Sequence, residues 1–214
     1  MDRIEKLCAH LDKCESFADV GCDHGYCTLY MLKNGLCESA VISDISAKCL
    51  QKAERLLSEY ITCGKVVPVC CDGLEKIDEN TSQILIAGMG GEEIVNILKT
   101  AYIPRSFVFQ PMKNERKLRE YLIQNGAEIT LDKPLVIGDK FYYVIKGNRQ
   151  GKSEYSEAQF LYGKDLKSAE TKAYMGVELK KMQGYLARKM SAEHRSELEK
   201  RVRFTEDILS GKVE

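Results

Sequence analysis

The segment FADVGCDHGY at residues 17–26 constrains the fold more than any other part of the chain. A short apolar run leads into Asp19 and Gly21, and the turn continues through Asp23, His24 and Gly25. This order of strand, acid and glycine turn is how an α/β fold brings backbone close to a small ligand at the carboxyl end of a strand. The turn contains neither G-x-G-x-x-G nor G-x-x-x-x-G-K-[ST], which excludes the dinucleotide fingerprint and the phosphate loop.

Apolar runs alternate with helical patterns through the first 148 residues. Strands are predicted at residues 17–20, 40–43, 66–70, 83–87, 107–110, 127–133 and 141–147. Helices are predicted at residues 2–14, 26–34, 46–63, 92–101 and 113–124. The alternation predicts an α/β fold with a mostly parallel, Rossmann-like sheet, right-handed crossovers and an antiparallel edge.

The pattern changes after residue 147. A polar, glycine-bearing stretch at 148–153 is a candidate linker, and two helices are predicted at 158–190 and 192–209, the second capped by Ser191. The predicted seam consists of Val177, Lys180/Lys181, Gly184, Leu186 and Met190 on the first helix and Leu198, Val202, Thr205 and Leu209 on the second. A narrow seam with charged flanks is typical of a helical hairpin or coiled coil.

Several side chains are predicted to meet at the carboxyl edge of the sheet, where open parallel sheets bind ligands. Asp44, after the second strand, can accept from both hydroxyls of a ribose, or else act as a helix cap with Ser46. Asp72 can accept from the exocyclic amine of adenine, with Gly73 leaving room for the ring, or else form an ordinary Asp-Gly turn. An acid before a turn with few glycines suits a positively charged ligand, and S-adenosylmethionine carries an ammonium and a sulfonium.

Composition narrows the function classes. The nine cysteines, an odd number without C-x-x-C spacing or a signal peptide, indicate reduced thiols in a cytoplasmic protein. Cys8, His10 and Cys14 are too loosely spaced for a zinc site, so no metal is expected, and the apolar runs are too short for a membrane span. Acidic residues predominate up to residue 98 and basic residues from 99 to 149, which favours a polyanionic partner slightly over solvated helix faces.

The chain resembles the bacterial tRNA (adenine 22, ring nitrogen 1) methyltransferase family known as TrmK. The similarity is carried by ADVGCDHGY, by CDGL at residues 71–74, by IAGMGG at 86–91, by Gln110-Pro111 and by the helical tail, so it covers essentially the whole chain. Cys22, Gly25 and Met112 depart from the family pattern, which usually has a small hydroxyl residue, alanine and asparagine there. The departure at Met112 affects the substrate pocket.

The resemblance implies a class I methyltransferase domain at residues 1–148 that binds S-adenosylmethionine. Its cofactor-binding residues are predicted to be Asp19, Gly21, Cys22, Asp44, Ile45, Asp72, Gly73 and Gly88. The substrate pocket is predicted to contain Met89, Gly90, Gln110 and Pro111. Residues 149–214 are predicted to be a helical coiled-coil domain that binds tRNA, and the protein is expected to be a monomer.

The expected reaction is methylation of ring nitrogen 1 of an adenine in the D-arm region of tRNA. That nitrogen already carries an in-plane lone pair, so the enzyme must unpair and orient the base rather than supply a strong base. Asp23 is the candidate carboxylate for stabilising the cationic product, and His24 and Tyr26 are candidates for positioning or stacking on the base. A structural alternative is that Asp23 only caps the following helix and His24 only bonds to backbone.

Two alternative functions remain open from the sequence. One is a methyltransferase acting on another RNA, a small molecule or a protein. An enzyme for a small molecule would gain little from the basic residues near the turn of the tail. The other is a non-catalytic module that binds S-adenosylmethionine. These basic residues are Arg188, Lys189, Arg195, Lys200, Arg201 and Arg203, named here the basic cluster; a solvated helix face explains them about as well as a nucleic-acid contact.

Overall fold

Seven strands form a single sheet in the computed structural model, which describes residues 3–213. They are β1 (Cys14–Val20), β2 (Cys37–Asp44), β3 (Val66–Cys70), β4 (Gln83–Met89), β5 (Ser106–Pro111), β6 (Glu128–Ile137) and β7 (Lys140–Asn148). Their order across the sheet is β3-β2-β1-β4-β5-β7-β6. The first five strands are parallel, whereas β7 runs antiparallel to both β5 and β6. The predicted parallel sheet with an antiparallel edge is therefore confirmed.

Nine helices accompany the sheet within the same described residues. They are α1 (Arg3–Cys8), α2 (Tyr26–Lys33), α3 (Ala47–Leu56), α4 (Ser58–Thr62), α5 (Gly91–Thr100), α6 (Glu115–Gln124), α7 (Glu157–Tyr162), α8 (Ala169–Leu186) and α9 (Ala192–Leu209). The helix predicted over 46–63 is two helices that meet at Leu57. The helix predicted over 2–14 ends early because Cys14 already pairs in β1; residue 2 lies outside the described residues.

The central strands carry the core of the sheet. Ile84, Leu85 and Ile86 on β4 have no exposed side-chain surface, and the same holds for the middle of β5. Consecutive buried residues are expected of parallel strands covered on both faces. Because β1 to β5 are parallel, their carboxyl ends lie at one edge, where the polar residues predicted to bind ligand are found.

The chain divides into two compact units between Glu154 and Tyr155. The stretch 149–153, which the sequence placed in the tail, is bonded to the first unit. The Ser153 hydroxyl accepts from the Ile129 N–H at 2.9 Å, and the Arg149 guanidinium donates to the Ile103 carbonyl at 2.6 Å. Each helix within residues 3–213 is too short or too polar to serve as a membrane span.

In the second unit, the prediction of one helix over 158–190 is wrong. Residues 163–168 separate α7 from α8, because Gly163 (φ 88°) ends the first helix and Ser168 begins the second. The Ser168 hydroxyl accepts from the Thr171 N–H at 3.2 Å, as an N-cap does. The predicted bounds of α9 are confirmed, as is its cap, in which Ser191 accepts from the His194 N–H.

The predicted seam is confirmed on α9 at Val202 and Thr205, whereas Leu198 and Leu209 are only partly buried, and it is wrong on α8. The buried residues of these two helices are Thr171, Met175, Met182, Val202, Thr205 and Ile208. Val177 is 36% exposed, so α8 turns a different face inward from the predicted one. Helices α8 and α9 contact each other, and the Thr205 hydroxyl is 2.6 Å from that of Tyr162 on α7. The coiled-coil geometry of this unit stays a prediction.

One buried ion pair joins α6 to the antiparallel edge of the sheet. The Arg119 guanidinium donates twice to the Asp132 carboxylate, at 2.7 and 2.9 Å, and both side chains are fully buried. The guanidinium carbon also lies 4.4 Å from the centre of the Tyr143 ring. Burial lowers the pKa of Arg119, but the charge of Asp132 and the hydrogen bonds to it, together with smaller contributions from Tyr143 and Glu115, exceed that effect and raise the pKa, so Arg119 stays charged.

Asp132→Asn is expected to lower the free energy of unfolding by about 3–5 kcal/mol, because it removes the charge of the carboxylate that accepts two hydrogen bonds from the buried Arg119. Urea unfolding followed by circular dichroism measures this change. Glu120→Gln, which breaks the exposed pair between Arg116 and Glu120, is the matched control and is expected to cost less than about 1 kcal/mol. Equal losses for the two variants would contradict the role assigned to the buried pair.

Candidate active site

A cavity of about 880 Å³, named here the strand-end cavity, lies at the carboxyl ends of the parallel strands. Thirteen predicted site residues line it: Asp19, Gly21, Cys22, Asp23, His24, Tyr26, Asp44, Ile45, Asp72, Gly73, Gly88, Met89 and Gln110. Gly90 and Pro111 are not among the lining residues, because Gly90 caps α5 and Pro111 is buried at the end of β5. The volume lies within the range of about 300–1,000 Å³ of small-molecule sites.

The turn after β1 is bonded to the end of β2. The backbone N–H groups of Gly21 and Cys22 donate to the Ser43 carbonyl at 2.8 and 3.0 Å. Gly21 has φ 72°, Asp23 has φ 45° and Gly25 has φ 73°, so three residues of this turn are left-handed. Asparagine, aspartate and glycine tolerate that conformation best, which explains Asp23 here.

Asp19 is the buried acid of the cavity. It is 5% exposed, and the Thr28 hydroxyl donates to its carboxylate at 2.9 Å. Burial raises the pKa of Asp19 to about 7, although the bonds from Thr28 oppose the rise and the nearby Asp44 adds to it. A positively charged ligand in the cavity would stabilise the ionised carboxylate.

Asp19 is expected to make folding stability fall as the pH rises. Its folded pKa of about 7 exceeds the ordinary value, so the folded protein binds a proton more tightly than the unfolded chain. That stabilisation is complete at low pH and is lost as the pH rises towards and through 7. Asp19→Asn keeps an acceptor for Thr28 without the charge. We therefore expect its free energy of unfolding, relative to wild type, to increase by about 2–3 kcal/mol between pH 5 and pH 8.

Urea unfolding of both proteins at pH 5 and pH 8 measures this difference. Asp12→Asn is a control at an exposed carboxylate, and it is expected to show no comparable change. A constant difference between Asp19→Asn and wild type at the two pH values would contradict a raised pKa.

The acids that follow β2 and β3 lie on the same cavity. One oxygen of Asp44 accepts from the Ser46 N–H at 2.8 Å, and the other accepts from the Asp23 N–H at 3.4 Å. The helix-cap alternative is therefore partly realised, although a carboxylate has lone pairs to spare for a ligand. Asp72 is exposed, and a Cβ atom on Gly73 would lie 2.8 Å from Ile97 on α5, so only glycine fits there.

Asp23 and two rings form the entrance side of the cavity. The Lys52 ammonium on α3 lies 2.8 Å from the Asp23 carboxylate, and this bond lowers the pKa of Asp23. The His24 imidazole is 3.6 Å from the same carboxylate and is stacked on Tyr26, with ring centres 5.5 Å apart and planes 15° apart. Tyr26 is 50% exposed, so a planar ligand has access to aromatic surface here.

The turn after β4 is held against the segment that follows β5. The Met112 N–H donates to the Met89 carbonyl at 2.8 Å, and the Gly91 N–H donates to the Lys113 carbonyl at 2.7 Å. A Cβ atom on Gly91 would lie 2.4 Å from the Asn114 carbonyl oxygen. Gly91, the last glycine of the IAGMGG motif, is therefore needed for the packing of two loops, while Gly88 and Met89 line the cavity.

Sequence reasoning missed the helical walls of the cavity. The additional lining residues include Arg3, Ile4 and Leu7 on α1 and Asn96, Ile97 and Thr100 on α5. It also missed Lys52 as the partner of Asp23. The helices were predicted, but a helix reaches this site through its packing, which no local motif encodes. One available signal was Glu93, three residues after Gly90, whose carboxylate accepts from the Gly90 N–H at 2.6 Å.

The cavity fits S-adenosylmethionine in size and charge. Asp19, Asp23, Asp44 and Asp72 give it an acidic lining suited to an ammonium and a sulfonium, and Ile45, 69% exposed, offers apolar surface for an adenine ring. The Ser43 hydroxyl is buried on the cavity and has no hydrogen-bond partner among residues 3–213, so it is available to a ligand. Over the same residues, no cluster of three or more metal-ligating side chains is placed to hold a metal ion.

Comparison with known proteins gives the family and the fold of the chain. Residues 1–145 match the family described as "Methyltransferase domain". A Mycoplasma pneumoniae protein named "Putative tRNA methyltransferase" is 31% identical over 158 residues, which cover 72% of this chain and 74% of that protein. The structure of Mycoplasma capricolum TrmK with S-adenosylhomocysteine has a TM-score of 0.87 at 20% identity, covering 97% of this chain and 96% of that chain. The Bacillus subtilis M1A22 tRNA methyltransferase TrmK has a TM-score of 0.84 at 22% identity, covering 97% of each chain.

The sheet order and the acids at its carboxyl edge define the class I methyltransferase fold, and the two solved structures share that fold. Since the family match covers more than half of its residues, the chain belongs to the methyltransferase domain family. The predicted fold class is therefore confirmed.

Proposed function

We propose that the protein methylates ring nitrogen 1 of an adenine in tRNA, at position 22 in the D-arm region, with S-adenosylmethionine as methyl donor. We further propose that it acts as a monomer in the cytoplasm. The observation that carries the proposal is the convergence of four carboxylates, an exposed aromatic pair and a buried glutamine on one cavity. The 31% identity to the Mycoplasma pneumoniae protein named "Putative tRNA methyltransferase" supports the substrate class.

The cofactor roles follow from the position of each strand end. Asp44 would accept from the two ribose hydroxyls of the cofactor, Ile45 would pack on its adenine, and Asp72 would accept from its amino group. Gly73 leaves room for that ring. Around the methionine end lie Asp19, Gly21, Cys22 and Gly88, which supply negative charge and close backbone approach. When bound, the cofactor supplies an electrophilic methyl group.

The substrate side of the cavity must hold an unpaired adenine in line with that methyl group. The in-plane lone pair of adenine nitrogen 1 would accept the methyl group that the bound cofactor supplies, and the electron pair of the carbon–sulfur bond would remain on the cofactor. No proton has to be removed first. The Asp23 carboxylate stabilises the positive charge that develops on the base, and His24 and Tyr26 stack on it or position it. Met89 and Gln110 line the surrounding pocket.

The basic cluster on the helical tail is the proposed contact for the tRNA backbone. Among residues 3–213, none of its six side chains is ion-paired with a carboxylate, and five of the six are exposed. Arg188 also lies 5.2 Å from the centre of the Tyr185 ring, which is 49% exposed and available for stacking. Unpaired arginines and lysines beside an exposed aromatic ring suit a phosphate backbone with accessible bases.

The direct test is mass spectrometry of an unmodified tRNA transcript after incubation with the purified protein and S-adenosylmethionine. We expect one methyl group on the adenine at position 22, located by nuclease digestion. A transcript with guanine at that position is the matched control and should gain none. Methylation of a small molecule or protein but not of tRNA would favour the alternative methyltransferase. Binding of the cofactor without any transfer would favour a non-catalytic module.

A further inference from the structure

The side-chain amide of Gln110 is buried on the strand-end cavity, and within the described part of the chain only its nitrogen has a hydrogen-bond partner. Gln110 lies near the end of β5, lines the cavity and is 1% exposed. Its Nε2 donates to the Pro111 carbonyl at 3.0 Å, whereas its Oε1 accepts no hydrogen bond from any residue between 3 and 213. Burying an acceptor without a partner costs about 1–3 kcal/mol, so a ligand that donates to Oε1 would recover that cost.

The orientation of this amide is fixed by chemistry. If the amide were reversed, Oε1 would face the Pro111 carbonyl oxygen, and two acceptors would meet at hydrogen-bond distance. The Met112 sulfur, 3.5 Å from Nε2, is also an acceptor and favours the same orientation. Gln110 therefore presents an acceptor, and no donor, as its unused group.

We propose that Oε1 of Gln110 accepts a hydrogen bond from the exocyclic amino group of the target adenine and thereby selects adenine over guanine. This inference rests on the proposed function. The amino group is attached to the carbon next to nitrogen 1, so a base held for methylation presents both groups on one edge. Guanine carries a carbonyl oxygen at that carbon, which would face Oε1 as a second acceptor. A buried polar group left unpaired by the wrong ligand is a strong source of discrimination.

The same bond strengthens during the reaction. When nitrogen 1 gains the methyl group, the positive charge spreads over the ring nitrogen and the exocyclic nitrogen. The amino group then becomes a better donor to Oε1, so Gln110 stabilises the transition state more than the bound substrate. Gln110 thus contributes to rate as well as to selection, and it does so from the β5 side of the cavity, away from Asp23 on the β1 turn.

The test is a double-mutant cycle between the protein and the base. Gln110→Met keeps an unbranched side chain and removes the acceptor. Purine ribonucleoside in place of the target adenosine keeps nitrogen 1 and removes the amino group. With wild type, we expect the single-turnover rate on purine-containing tRNA to be about 10- to 100-fold lower than on adenine-containing tRNA. With Gln110→Met, we expect the single-turnover rate on adenine-containing tRNA to fall by the same factor. The rate on purine-containing tRNA should stay close to its wild-type value.

Equilibrium affinity for the two transcripts without any methyl donor is the second readout, and the wild-type preference for adenine should disappear in Gln110→Met. Ser43→Ala is the matched control, because it also removes a buried, unpartnered oxygen from the cavity. It should leave the ratio between the two transcripts unchanged. Thermal unfolding and cofactor affinity of each variant establish that it is folded.

The outcomes are distinct. Failure of wild type to methylate adenine-containing tRNA would overturn the proposed function and this inference with it. Methylation of adenine with equal wild-type rates on the two transcripts would overturn the role of Gln110 alone. The same conclusion would follow if Gln110→Met slowed both transcripts by one common factor, because a purely structural residue does that.

Discussion

Asp44→Ala is expected to weaken the binding of S-adenosylmethionine by about 100-fold or more. The carboxylate already accepts from the N–H groups of Ser46 and Asp23, and its remaining lone pairs suit two ribose hydroxyls. Hydrogen bonds to a charged group contribute about 1.5–3 kcal/mol each, so the loss of two corresponds to about 3–6 kcal/mol. Isothermal titration calorimetry with S-adenosylmethionine or S-adenosylhomocysteine measures the change.

Ser46→Ala distinguishes cofactor binding by Asp44 from capping of α3, the two roles of the residues at the end of β2. The Ser46 hydroxyl accepts from the Cys49 N–H at 3.3 Å, so its loss removes the side-chain cap of α3 and leaves the Asp44 carboxylate in place. We expect cofactor affinity within about threefold of wild type, since a cap contributes about 1 kcal/mol to folding rather than to ligand binding. Unchanged affinity in Asp44→Ala would mean that Asp44 serves only the turn.

Asp23→Asn is expected to lower the rate of methyl transfer by about 100-fold while leaving cofactor affinity near that of wild type. Removing one preorganised group that stabilises developing charge typically costs a factor of about 10²–10³. Asparagine tolerates the left-handed backbone at φ 45°, so the turn should be preserved. Single-turnover kinetics with saturating tRNA and cofactor measure the effect.

Lys52→Gln is the control for the ion pair that holds Asp23. The pair is 2.8 Å long and half exposed, and such pairs contribute about 0–1 kcal/mol, so we expect a change in rate of less than about tenfold. If Asp23→Asn transferred the methyl group at the wild-type rate, the carboxylate would be a structural part of the turn and not a catalytic residue.

The sequence predicted what local patterns encode. The strand ends at Asp19, Asp44 and Asp72 could be read because each acid follows an apolar run, and the parallel order brings those ends to one edge. The start of α9 could be read because Ser191 is a strong cap immediately before a helical pattern. These features depend on residues that are neighbours in the chain.

Features that depend on distant contacts were not predictable in this way. The inward face of α8 is set by packing around Met175 and Tyr162, which overrides the apolar spacing. The break between α7 and α8, by contrast, follows from Gly163 and the Ser168 cap, two local signals that the sequence reasoning missed. The ion pair of Arg119 with Asp132 and the bond of Lys52 to Asp23 join residues on different elements. No pattern of residue types distinguishes such pairs from ordinary surface charges.

A crystal structure of the protein with S-adenosylhomocysteine is the most direct test of the central claim, that acids from neighbouring strand ends surround an adenosyl ligand. We predict both ribose hydroxyls within hydrogen-bond distance of the Asp44 carboxylate. We also predict the adenine beside Ile45 and Asp72, with Gln110 left free for the second base. A ligand bound outside the strand-end cavity, or bound inside it with Asp44 and Asp72 in contact with solvent alone, would contradict the account.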